Sequence, residues 1–130
     1  MGLESDSRQN RGIELSETRH GGHLLIQVRG TGFRVGDFTV LAAAVNKASK
    51  EPLESLAFEF QACPSLDSGS IGHIAMAVRF MIQRGKPVFC IVDHEGIWDS
   101  LQTVGLETLI RRVSRVSDYW RECGEKRDGE

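Results

Sequence analysis

The sequence predicts an α/β domain, a small mixed β-sheet of about five strands with about four helices packed on it. Three observations carry that prediction. Runs with period-two apolar alternation exchange repeatedly with runs whose apolar residues recur every three or four positions. The first two extended runs are joined by Gly21-Gly22, a pair suited to an antiparallel hairpin because both residues can take positive φ. Pro87-Val88-Phe89-Cys90-Ile91-Val92 is apolar without a break, as expected of a strand covered on both faces.

The elements follow in order. Ile13 and Leu15 alternate with polar residues, and after His20-Gly21-Gly22-His23 the chain is apolar from Leu24 to Val28, giving two strands and their turn. Asp37 is placed to cap a helix whose apolar face is Phe38, Leu41, Ala42, Val45 and Ala48, stopped at Glu51-Pro52. Leu56, Phe58 and Phe60 alternate with Ala57 and Glu59 as a third strand. Ile71, Ile74, Ala75, Val78, Met81 and Ile82 form the apolar face of a second helix, with Gly85 as its end signal. After the buried strand, a helix from about Ile97 to Val104 ends at Gly105. A short strand near Leu109 to Val113 and a helix from about Arg115 to Cys123 close the pattern, with Val116, Tyr119 and Trp120 docking the last helix. The order is β-β-α-β-α-β-α-β-α, and crossovers between parallel strands are right-handed. Residues 1–12 read as a polar, disordered tail, 13–122 as the folded domain and 123–130 as a charged tail.

Bulk properties exclude several classes of function. In 130 residues, 40% of them hydrophobic, there is enough apolar material for one core. A net charge of -2 gives no basic footprint for nucleic acid. No apolar run reaches the roughly 18 residues of a membrane span, and the polar first dozen residues do not resemble a signal peptide. Cys63, Cys90 and Cys123 are odd in number and irregularly spaced, which fits reduced thiols in a cytoplasmic protein.

Asp67-Ser68-Gly69-Ser70-Ile71-Gly72 is the stretch richest in chemistry. It lies at a strand-to-helix junction, where an acid, two hydroxyls and free backbone N–H groups share one turn. Ser70 is placed as N-cap of a helix beginning at Ile71. No histidine base stands beside either serine, so the turn suits binding or modification and not nucleophilic catalysis. Other signals have ordinary explanations. His20 and His23 lack a third ligand and read as solvated turn residues, with no metal. His73 sits in the first turn of the second helix, near the serines, where it can tune a partner contact or simply face solvent. Cys90 and His94 form no thiolate pair. Gly30-x-Gly32 lacks the third glycine of a dinucleotide fingerprint, and Gly85-Lys86 is followed by Pro87, so no nucleotide or other cofactor is expected. Asp93, Glu95 and Asp99 read as a helix cap and a solvated face. Trp98 follows a strand's C-terminal end, where it either packs in the core or anchors an interface.

Ser65-Leu66-Asp67-Ser68-Gly69-Ser70-Ile71-Gly72, the apolar helix after it, Gly85-Lys86-Pro87 with its buried strand, and Leu101 to Leu106 together resemble the STAS domain. The resemblance spans about residues 13 to 122, and its best-known members are bacterial anti-sigma factor antagonists. It implies a non-catalytic, cytoplasmic regulator of transcription in a bacterium, with a protein partner, an anti-sigma factor that is often a serine kinase. Ser68 and Ser70 become phosphorylation candidates, and the partner-binding set is Asp67, Ser68, Gly69, Ser70, Ile71, Gly72, His73 and Trp98. Aligned without gaps, the family's acceptor position falls on Gly69, so the two serines flank it. Gly30-Thr31-Gly32-Phe33 replaces the family's usual acidic turn after the second strand. The resemblance allows a second reading, an accessory subunit of a lipid or ABC-type transport complex or a signalling scaffold without a phosphoswitch. It leaves the oligomeric state open, a dimer among the options.

Overall fold

The computed structural model describes residues 7–10, 13–30, 39–61, 68–92 and 95–128. Its elements are β1 (Ser7–Asn10), β2 (Ile13–His20), β3 (His23–Gly30), α1 (Thr39–Ala48), β4 (Ser55–Gln61), α2 (Ser68–Gln83), β5 (Val88–Ile91), α3 (Glu95–Thr103), a single 3-10 turn (Leu106–Thr108), β6 (Arg111–Val113) and α4 (Val116–Asp128). The strands form one sheet in the order β1-β2-β3-β4-β5-β6. β1, β2 and β3 pair antiparallel, whereas β3 to β6 pair parallel, so the sheet is mixed as expected.

Each crossover steps to the next strand in the same direction. Right-handed connections then put all three crossover helices on one face of the sheet. Leu41 and Val45 of α1, Ile74, Val78 and Met81 of α2, and Ile97 and Leu101 of α3 accordingly share one cluster with Leu24, Ile26, Leu56, Phe58, Val88 and Cys90. On the opposite face α4 covers Leu25, Ala57, Phe89 and Ile91 through Tyr119 and Cys123. β5 is buried at all four positions, as its unbroken apolar sequence requires. Burial and its own low-dielectric surroundings push the Cys90 thiol up to about 12, against a small opposing effect of the Arg112 charge.

Turn chemistry explains the joints. Gly21 (φ 61) supplies the positive φ of the β2–β3 turn, but Gly22 is needed for a different reason. A Cβ on Gly22 would stand 2.7 Å from Glu54 Cγ and 3.2 Å from the Glu54 nitrogen, and its carbonyl accepts the Glu54 N–H at 2.6 Å. α2 ends in a paired cap around Gly85 (φ 71): Gly85 N–H donates to the Ile82 carbonyl and Lys86 N–H to the Met81 carbonyl, both at 2.9 Å. Arg84 then reaches across to α1's end, donating to the carbonyls of Glu51 and Ser49. Gly105 (φ 81) closes α3.

Several expectations change. The sheet has six strands, because residues 7–10, expected within a tail, pair along the β2 edge. β2 would otherwise present a row of unpaired backbone N–H and C=O groups, and polar side chains do not prevent a further strand from pairing with them. α4 continues through residues 123–128, also expected as tail. Ile82 was expected on the apolar face of α2 but is 47% exposed: the buried stripe runs through Ile74, Val78 and Met81, and the next residue turns about 100° away from it. The proposed caps and turn at Asp37, Asp93 and 31–33 lie outside the described residues, as do Asp67, Cys63 and His94.

Candidate functional site

α2 begins at Ser68, two residues before the expected cap, and this changes the role of each serine. Ser68 is exposed at the helix start. Ser70 lies within the first turn at 0% exposure, so it is a buried helical residue and not the N-cap. Of the two hydroxyls, only that of Ser68 is open to an enzyme or a partner in the folded chain.

Residues four apart on a helix share a face. From Ser68 the exposed face of α2 runs through Gly72 and Met76 to Arg79 and Gln83, all exposed. Met76 is 52% exposed, the most open of the large apolar side chains among the described residues. Gly72 has open space where a Cβ would be, so no neighbour among the described residues demands glycine there. Glycine in a helix interior costs about 0.5–1 kcal/mol relative to alanine. A flat, apolar-centred strip is the result, with bare backbone at Gly72, a flexible thioether at Met76 and a hydroxyl at the positively polarised helix end. Such a strip can dock a partner closely and can be altered by one added charge at Ser68.

The other expected partner-binding residues divide. Gly69 and His73 are half-buried on the flanks of the strip, and Ile71 faces inward and packs partly against the core. Trp98 on α3 is also half-buried against the core, with the Arg112 guanidinium of β6 5.1 Å from its ring centre. Arg112 is salt-bridged to Glu95, so this group braces α3 on the sheet edge. Trp98 therefore packs first and offers only its outer edge. Met76 was missed in the sequence: it falls off the buried face of α2, and only its spacing of four from Gly72 and eight from Ser68 marks it.

At the opposite end of the sheet lies a polar cluster that the sequence did not announce. His23 Nδ1 is 2.7 Å from Ser55 Oγ, which is 2.6 Å from the Tyr119 hydroxyl and 3.6 Å from Cys123 Sγ. The Tyr119 hydroxyl donates to the Leu24 carbonyl at 3.3 Å. With the Tyr119 proton on the Leu24 carbonyl, Ser55 donates to the Tyr119 oxygen and accepts from His23 Nδ1–H. His23 is thus a half-buried, oriented residue and not a solvated one. His20 is exposed and meets the Trp120 ring edge-on at 4.7 Å. Burial raises the Tyr119 hydroxyl well above its usual range, partly offset by the bond to Ser55.

No helix among the described residues is long and apolar enough to cross a membrane. No model of a known protein family matches the chain, and no curated protein does. Solved structures do match. One is the crystal structure of an anti-sigma factor antagonist from Mycobacterium paratuberculosis, with a TM-score of 0.65 at 16% identity, covering 82% of this chain and 89% of that one. The chain has the fold of an anti-sigma factor antagonist, the STAS-like architecture expected from its sequence.

Proposed function

We propose that this chain is a non-catalytic regulatory protein of the bacterial cytoplasm that binds another protein through the Asp67–Gly72 turn and the exposed strip of α2. The partner is an anti-sigma factor of the serine-kinase type, whose capture releases a sigma factor for transcription. The observation that carries this reading is the strip Ser68-Gly72-Met76: open, apolar at its centre and unneeded by the fold, on an architecture shared with an anti-sigma factor antagonist. Phosphorylation at Ser68 provides the switch. About two negative charges would arrive where a docked surface sits, and repulsion and desolvation then oppose binding. Ser70, fully buried, is not the acceptor in this reading.

Affinity capture of the tagged chain from its host, with mass spectrometry of residues 67–72, tests the proposal. Recovery of a kinase-like anti-sigma factor, lost on Ser68→Asp, is the expected result. One observation favours a second reading: glycine occupies the family's acceptor position and Ser70 is buried, leaving a single open hydroxyl. A permanent interface subunit of a transport complex, or a signalling scaffold, needs no hydroxyl at all. Stable recovery of membrane transport subunits, indifferent to Ser68→Asp, would replace the first reading with that one.

A further inference from the structure

His23, Ser55 and Cys123 of this cluster border a cavity of about 280 Å³, with Tyr119 buried behind them. Its other principal walls are Pro87, Phe89, Lys86 and Arg111. His23, Ser55 and Arg111 open β3, β4 and β6, so the cavity lies at the N-terminal ends of the parallel strands. The Ser68 turn follows β4's C-terminal end, so the two sites are at opposite poles of the sheet.

The placement is unusual in its chemistry. A sheet face that is otherwise Leu25, Ala57, Phe89 and Ile91 carries a hydrogen-bonded polar relay at this end. The relay holds the His23 ring in one orientation and keeps Ser55, at 2% exposure, on the cavity floor. One wall is apolar and aromatic. The Arg111 guanidinium stands 5.7 Å from the Phe89 ring centre, and among the described residues no carboxylate is within ion-pair distance of it. Lys86 is held at the mouth by Glu54 at 2.9 Å.

We propose that this cavity binds a small planar organic carboxylate. Its ring lies against Pro87 and the small part of Phe89 that the fold leaves open, its carboxylate meets the fork of Arg111, and its far end reaches the polar floor at Ser55 and His23. A guanidinium presents paired donors to a carboxylate. The rim carries Glu54 and Glu122 beside its two cations, a balance that tolerates one negative charge on the ligand and disfavours two. The volume, just below the usual range of about 300–1,000 Å³ for ligand pockets, limits the ligand to a single ring with small substituents.

Titration of the full chain with benzoate, followed by backbone amide NMR shifts, tests the site, with inorganic phosphate as the competing anion. The expected result is saturable shifts at His23, Ser55, Lys86, Arg111 and Cys123, with a Kd of about 1 mM or tighter. Arg111→Met changes an exposed side chain and leaves the core intact, and it weakens benzoate binding about tenfold or more. Benzoate without saturation would overturn the proposal. So would phosphate producing the same shifts as strongly, or benzoate affinity unchanged in Arg111→Met.

Discussion

A single residue shows how burial redistributes function along one turn. Ser68 and Ser70 are two positions apart in a helix, which turns them about 200° from each other. One therefore faces solvent and the other the core. Replacing Ser70 by Asp forces a carboxylate into a site of 0% exposure, a change expected to cost about 3 kcal/mol or more of folding stability. Ser68→Asp puts the same charge in water at a helix N-terminus, where it is neutral or stabilising by about 0.5 kcal/mol. Urea denaturation of both variants distinguishes them; equal stability would contradict the placement of Ser70. This difference was not legible in the sequence. A serine ahead of an apolar helical run reads as a cap, and only the earlier start of α2 moves Ser70 inside.

At the scale of an element, α2 carries two glycines with opposite demands. Gly85, at φ 71, holds the paired carbonyl cap that ends the helix, and alanine there is expected to lose about 1 kcal/mol. Gly72 is exposed and helical with open space around it, so Gly72→Ala is expected to gain about 0.5–1 kcal/mol. Thermal denaturation reads the two signs directly, and a loss of stability in Gly72→Ala would contradict the geometry. A more stable Gly72→Ala that binds its partner less well would show that the bare backbone serves recognition. The end signal at Gly85 was legible because a glycine after an apolar helical run has one common use. The role of Gly72 was not, since its neighbours in the fold are needed to show that none of them requires it.

For the whole molecule, the fold was legible because period-two and helical runs alternate and each buries a face. Leu56, Phe58 and Phe60, for example, point to the α2 side exactly as their alternation requires, and all three are buried. Edges and long-range polar contacts were not. β1 is held by backbone pairing, which leaves no apolar pattern, and Ser55 meets residues 32 and 64 positions away. Two buried acids couple the fold to pH. Cys90, raised from 9.0 to about 12, and Tyr119, also raised, stay protonated in the folded chain after the unfolded chain has begun to ionise. Their contribution is fully present below the unfolded values and is lost as pH rises, from about 9 for Cys90 and from about 10 for Tyr119, by roughly 1.4 kcal/mol per pH unit for each group once past that point. Denaturation midpoints between pH 8 and 11 should fall accordingly, and Cys90→Ala should flatten the first part of that decline. An unchanged slope would contradict the burial of the thiol. Affinity capture with two matched charge insertions tests whether the outer strip of α2 binds a protein partner. Met76 and Val104 are 52% and 51% exposed, so Met76→Glu and Val104→Glu disturb the fold equally little. The partner is expected to be lost with Met76→Glu and retained with Val104→Glu. Retention with Met76→Glu would contradict it.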